Sequence, residues 1–149
     1  VSGQKARRVH TRIESEDTAV AALRYANGAL GTIEATTAAF PGWARRIELC
    51  GEHGSVCLED DTIARWDFRD DRPEDDIIRR AAADTAMGSG SSDPKAISHQ
   101  GHLRQIQDLV NHLRDGTPLG INGADARNAV SLIRALYASA ETGRPVTPA

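Results

Sequence analysis

Residues 16–36, which read EDTAVAALRYANGALGTIEAT, decide the fold. Two runs rich in Ala, Val, Leu, Thr and Ile, residues 17–26 and 29–37, lie on either side of Asn27-Gly28. Asn-Gly between two strand-like runs predicts a β-hairpin with a type I′ turn, in which both central residues have positive φ. Residues 19–23 are apolar or small at every position, so the alternation expected of a strand with one solvated face fails there. The hairpin is therefore predicted to be covered on both faces.

Further strands flank this hairpin. Val9, Thr11 and Ile13 alternate with polar or charged residues, which predicts an N-terminal strand. After a break at residues 40–42, three more runs have the composition of strands, namely residues 45–50, 55–59 and 62–68. Their connections are short, and short connections join antiparallel neighbours because a parallel crossover needs a dozen or more residues. This part of the chain predicts an open, mostly antiparallel β-sheet.

Two helices are predicted to close the chain. From Gly101, apolar residues recur at helical spacing, namely Leu103, Ile106, Leu109, Val110 and Leu113. Asp115-Gly116 ends this helix, and a second helix begins after Asn122, with Asp125 as its capping partner, and ends at Gly143. Strands followed by helices are typical of an α+β fold, here with the two C-terminal helices covering one face of the sheet.

Residues 69–97 differ in composition from the rest. Carboxylates crowd residues 70–76, and GSGSS occupies residues 88–92. This composition predicts a flexible surface excursion with one short helical turn near residues 77–83. A chain of 149 residues fits one domain, so we expect residues 1–149 to form a single domain.

Composition excludes several classes of function. Aromatic residues make up 4% of the chain and the net charge is −3, which argues against a nucleic-acid partner. No apolar run approaches the roughly 20 residues of a membrane span, and no signal peptide is evident, so a cytoplasmic protein without a membrane partner is expected.

Cys50, His53 and Cys57 form a C-x2-H-x3-C string around a predicted turn, in which the two cysteines lie at diagonal positions on facing strands. A disulfide and a zinc site are both possible. Structural thiols are favoured, because zinc normally needs a fourth ligand that the sequence does not offer, and no metal is expected.

The sequence resembles the C-terminal domain of the Gfo/Idh/MocA oxidoreductases, the family of glucose-fructose oxidoreductase and inositol dehydrogenase. The strings that carry this resemblance are residues 16–35, Pro41-Gly42, residues 47–56, Gly101-His102, Gln105-Ile106 and residues 142–146. The resemblance implies a two-domain parent in which a Rossmann domain, absent here, binds NAD or NADP. This domain would supply substrate contacts and the interface of a homodimer or homotetramer formed through the sheet.

The family's usual chemistry is hydride transfer between the nicotinamide and a hydroxyl carbon of a sugar or cyclitol. Its catalytic lysine, in a Glu-Lys-Pro string, has no counterpart in this sequence. Its catalytic histidine lies in a glycine-flanked Asp-x-x-x-His string, and the spacing of Asp108 and His112 matches only without glycines, on a predicted solvated helix face. We therefore expect no catalytic and no cofactor-binding residues, and a chain that alone is inactive and binds no nicotinamide.

Four residues are candidates for substrate binding. His102 and His99 lie at the N-terminal edge of the first C-terminal helix, where a histidine could donate to substrate hydroxyls. Trp43 and Arg45 follow the Pro-Gly break, and an aromatic face beside a guanidinium suits a sugar ring. The alternatives are a surface cap for the histidines and a subunit-interface rim for Trp43 and Arg45.

The remaining charged residues are expected to have no chemical role, and two alternatives to an oxidoreductase domain remain open. Glu16-Asp17 is interpreted as a solvated start of a strand, and Lys5, Arg7 and Arg8 as a frayed N-terminal arm. A stand-alone dimeric binding or structural module is the alternative to an enzyme domain. An NAD-dependent glycosidase of the same fold is another.

Overall fold

The computed structural model describes residues 1–60, 62–83 and 99–149, so residues 84–97 of the predicted excursion lie outside the described residues. The described strands form two three-stranded antiparallel sheets, which confirms the predicted α+β class. The elements are β1 Ser2–Ala6, β2 Thr18–Arg24, β3 Leu30–Thr36, β4 Arg46–Cys50, β5 Gly54–Glu59, β6 Thr62–Phe68, α1 Pro73–Ala83, α2 Gln100–Asp115 and α3 Gly123–Thr142. They fall into two compact units, Val1–Phe40 with Gly116–Ala149, and Pro41–Asp115. That residues 1–149 form a single domain stays a prediction.

The first unit is a β1-β2-β3 sheet with α3 packed against it. Ala21 and Leu23 project from one face of β2 and bury themselves with Leu136 of α3. Val20 and Ala22 face the other way, and Val20 is 42% exposed. The apolar run of β2 therefore has one face in the core and the other face in solvent.

The hairpin between β2 and β3 is confirmed, but the predicted type I′ turn is wrong. Gly28 has positive φ, 90°, whereas Asn27 does not. The N–H of Gly28 donates to the carbonyl of Tyr25 at 3.0 Å, and the N–H of Tyr25 donates to the carbonyl of Ala29 at 2.9 Å. This pattern belongs to a three-residue loop that ends in a glycine bulge, which needs only one residue with positive φ.

The predicted strand at residues 9–13 is also wrong. The strand lies earlier, at Ser2–Ala6, and residues 7–16 form the loop that leads to β2. Within this loop the N–H groups of Arg8, Val9 and His10 donate to the carboxylate of Asp17 instead of to a neighbouring strand. A short acidic side chain can compete with the sheet ladder for backbone donors in this way.

The second unit contains the β4-β5-β6 sheet, α1 and α2. Helix α1 begins at Pro73, four residues before the predicted helical turn, because the clustered carboxylates belong to its first turn, where acidic residues stabilise a helix. Asp75 accepts the indole N–H of Trp66 at 2.8 Å and the backbone N–H of Arg72 at 2.7 Å. These bonds fix α1 against β6.

The two C-terminal helices have the predicted bounds but different burial. Asn122 and Asp125 form the predicted capping box of α3, and Gly143 ends the helix in the left-handed conformation at φ 67°. Helix α2, in contrast, has no buried residue. Its predicted core residues are 45–76% exposed, namely Leu103, Ile106, Leu109, Val110 and Leu113. We call this set the α2 stripe.

Candidate functional site

Trp43 and Arg45 lie just before β4, in the second unit. The backbone of Arg45 is held on both sides: its N–H donates to the carboxylate of Asp60 at 3.0 Å, and its carbonyl accepts the N–H of Asp60 at 2.7 Å. The ring of Trp43 is 89% exposed. The indole of Trp43 is therefore open to solvent, two residues before the anchored backbone of Arg45.

His99 and His102 lie at the start of α2, as the sequence predicted, and both are exposed. The carbonyl of His99 accepts the N–H of Leu103 at 3.0 Å, and the ring of His99 lies 3.4 Å from the side-chain amide of Gln100. The side chains of Trp43 and His102 make no hydrogen bond, ion pair or ring contact within the described part of the chain. That these four residues share a substrate site stays a prediction.

Asp108 is half-buried, whereas the neighbouring Leu109 and Val110 are 48% and 45% exposed. No residue of α2 is buried, so the predicted solvated position of the Asp108–His112 pair is only partly accessible at Asp108. His112, four residues on, is exposed.

Asp17, which we expected to be solvated, is 3% exposed and organises the preceding loop. Its carboxylate accepts backbone N–H groups of Val9 at 2.7 Å and of His10 and Arg8 at 2.9 Å each. The hydrogen bonds from Val9 and His10 are the main reason why the pKa of Asp17 lies well below its usual range. The sequence signal was an aspartate directly before a strand and directly after a loop.

Glu16 contacts the opposite end of the chain. It accepts a hydrogen bond from the hydroxyl of Tyr137, which lowers the pKa of Glu16 and raises the pKa of Tyr137. The ammonium of Lys5 lies 4.6 Å from the centre of the Tyr137 ring and 3.0 Å from a carboxylate oxygen of Glu141. Lys5 is thus part of β1 and tied to α3, so its assignment to a frayed arm is wrong.

One face of the β4-β5-β6 sheet forms a concavity of about 280 Å³. Cys57 lies opposite Glu48 and Cys50 opposite Ser55, so the two cysteines are diagonal, as predicted. Both are free thiols, and Cys57 is buried. A hydrogen bond with Cys57, followed by the charge of Glu48, raises the pKa of Arg46. Within the described residues, no group of three or more His, Cys, Asp or Glu could hold a metal.

A second concavity, of about 310 Å³, lies between α3 and residues 146–149. Its lining is mostly apolar and includes Arg127 and Arg134.

None of the described helices is long and apolar enough to cross a membrane.

Sequence and structure comparisons define the class of protein. The chain is 27% identical over 136 residues to myo-inositol 2-dehydrogenase of Thermotoga maritima, a match that covers 87% of this chain and 36% of that enzyme. It superimposes with a TM-score of 0.80 and 30% identity on the WlbA dehydrogenase of Bordetella pertussis, crystallised with NADH and UDP-GlcNAcA. This match covers 99% of this chain and 41% of that one.

A second structure shows the same fold at lower identity. An oxidoreductase of Agrobacterium radiobacter, crystallised with NAD+, L-tartaric acid and magnesium, gives a TM-score of 0.66 at 23% identity over 96% of this chain and 41% of its own. The chain is therefore the size of one domain of these dehydrogenases and spans well under half of each.

The family follows from a match over almost the whole chain. The model of the oxidoreductase family C-terminal alpha/beta domain, Gfo/Idh/MocA type, covers residues 1–147. The chain belongs to this family and is an oxidoreductase C-terminal domain.

Proposed function

We propose that this domain supplies the substrate contacts and the subunit interface of an NAD(P)-dependent oxidoreductase. The parent enzyme transfers hydride between the nicotinamide and a hydroxyl carbon of a sugar, a nucleotide-linked sugar or a cyclitol. The family match over residues 1–147 carries this proposal. The complex of WlbA with NADH and UDP-GlcNAcA, and the inositol dehydrogenase relative, support the cofactor and the substrate class.

The cofactor belongs to the missing half of the parent. The sequence has no G-x-G-x-x-G string, whose glycines let a backbone approach the pyrophosphate of a dinucleotide. When bound there, the nicotinamide supplies or accepts the hydride. The role of this chain is to bind and orient the substrate, with the exposed Trp43 ring against the sugar and His102, His99 and Arg45 as donors to its hydroxyls.

The exposed α2 stripe supports the proposal that the parent protein has a second domain. Apolar patches of this kind are rare on free surfaces because water exclusion stabilises their burial. We propose that the Rossmann half of the parent covers the stripe. The exposed face of the first sheet, which includes Val20 and Leu30, would pair with a second copy.

Steady-state assays of the full-length parent test this function. We expect NAD(P)+ reduction with at least one of a panel of cyclitols, sugars and sugar nucleotides. Trp43→Ala and His102→Ala should raise KM at least about tenfold, since each removes a substrate contact worth about 1.4 kcal/mol or more. The control Arg80→Ala, an exposed change on α1, should leave KM unchanged.

The same assays can contradict the proposal. If no member of the panel changes the redox state of either nicotinamide, the domain does not serve a dehydrogenase. Hydrolysis of a glycoside with NAD+ required but not consumed would favour the glycosidase alternative. A gene that encodes no cofactor-binding half would favour the stand-alone module.

A further inference from the structure

The loop between β1 and β2 carries a concentration of positive charge. Residues 7–14 contain three arginines, Arg7, Arg8 and Arg12, against one glutamate, Glu14. All of these side chains are exposed, and so is that of His10. The chain as a whole has a net charge of −3, so this loop differs in sign from the rest of the molecule.

The carboxylates that follow do not neutralise the loop by ion pairing. Asp17 is buried and accepts the backbone N–H groups of Arg8, Val9 and His10, and Glu16 accepts the hydroxyl of Tyr137. The guanidinium groups of Arg8 and Arg12 make no ion pair or side-chain hydrogen bond within the described part of the chain. Two guanidinium groups are thus left for a ligand.

The loop is also held in one conformation. Besides the Asp17 bonds, the ring of His10 lies 3.0 Å from the carbonyl of Thr37, and the guanidinium of Arg7 donates to the carbonyl of Ile13 at 2.6 Å. A surface loop fixed before binding spends less conformational entropy when a ligand arrives. The arginines of this anchored loop would therefore bind a ligand at a lower cost in conformational entropy.

We propose that this arginine loop, residues 7–14, binds the diphosphate of a nucleotide-linked sugar. Guanidinium groups bind phosphate oxygens in pairs of parallel hydrogen bonds, and a diphosphate offers two adjacent anionic groups, one for each of the two guanidinium groups that this loop leaves without an ion pair in the described residues. A single carboxylate would match only one of them. The inference rests on the proposed function for the identity of the sugar, and it narrows the substrate class to sugar nucleotides.

Calorimetric titration of the 149-residue chain with UDP, inorganic pyrophosphate, sulfate and NAD+ tests the proposal. UDP and pyrophosphate should bind, and the double change Arg8→Gln with Arg12→Gln should weaken both by at least about tenfold, as expected for charge-assisted bonds. The control Arg24→Gln changes an exposed arginine at the opposite end of β2 and should alter binding by less than about twofold. Asp17→Asn keeps every arginine but loosens the loop, and it should weaken binding as well.

Several outcomes overturn the proposal. They are no binding of UDP or pyrophosphate, an equal loss in Arg24→Gln, and sulfate binding as tightly as pyrophosphate. NAD+ binding as tightly as UDP, and weakened by the same double change, would assign the loop to the cofactor instead. Should Asp17→Asn not fold, the arginine double variant still decides. Because no hydride transfer is measured, failure here is distinct from failure of the dehydrogenase assay.

Discussion

The backbone N–H of Gly3 donates to the buried hydroxyl of Ser139 at 2.9 Å, which joins the first strand to the last helix across 136 positions of sequence. The approach is close because Gly3 has no side chain: a Cβ there would lie 2.7 Å from the carbonyl oxygen of Leu136. The backbones of β1 and α3 therefore approach each other closely. This contact joins the first strand of the first unit to its last helix.

Gly3→Ala should lower the free energy of unfolding by about 1–3 kcal/mol, because the added methyl forces β1 and α3 apart. Urea unfolding followed by circular dichroism measures it. The control is Gly101→Ala, at a position in α2 where no atom of the described residues lies within 4 Å of the added Cβ, and it should leave stability unchanged or slightly raised. Equal losses in both variants would contradict the contact.

Leu136→Ala should cost about 2–5 kcal/mol of unfolding free energy, because Leu136 is 5% exposed and packs against Ala21 and Leu23. Leu113→Ala, at a side chain that is 76% exposed, should cost less than about 0.5 kcal/mol in this chain. In the full-length parent, however, Leu113→Ala should cost more if the Rossmann half covers the α2 stripe. The same unfolding experiment on both proteins separates these cases.

Acid should destabilise the domain through Asp17. Its pKa is lower when folded than its ordinary value of 3.8, so the unfolded chain binds more protons and stability is lost as the pH falls below about 4. Asp17→Asn should reduce the proton uptake on unfolding by roughly one between pH 5 and 2. Stability measured across this range checks it. Glu14→Gln, an exposed change in the same loop, is the control, and an identical slope in Asp17→Asn and the wild type would contradict the assignment.

Asn122→Ala should cost about 1 kcal/mol, because the Asn122 side chain accepts the N–H groups of Ala124 at 2.8 Å and Asp125 at 3.1 Å. Thermal unfolding measures the loss. Asn128→Ala, an exposed change inside α3, removes an asparagine without removing a cap and should not destabilise the helix.

The chain should form a dimer or larger assembly in solution. The exposed face of the first sheet carries Val20 at 42% and Leu30 at 79% exposure, and face-to-face pairing of two sheets would cover both. Light scattering should give at least twice the chain mass of 16.0 kDa. Val20→Lys should shift the mass towards the monomer, whereas Gln100→Lys, a change in the second unit, should not. A monomer at micromolar concentration would exclude the assembly.

The sequence by itself determined the features that depend on neighbouring residues. The hairpin at residues 18–36, the bounds of α2 and the cap at Asn122 are encoded within a few positions, because turns and caps are satisfied by local backbone groups. The position of the candidate pairs at the starts of β4 and α2 followed from the same local patterns.

Only the tertiary structure determined which side chains of these elements are buried and which distant residues they contact. Asp17 was expected in solvent and is buried, Glu16 meets Tyr137 from 121 positions away, and the α2 stripe was expected in the core and is exposed. Amphipathic periodicity shows that a helix has two faces, but not which face the rest of this chain covers. Hydrogen bonds and packing between distant residues fix that choice, because their free energy arises only when the folded chain brings the partners together.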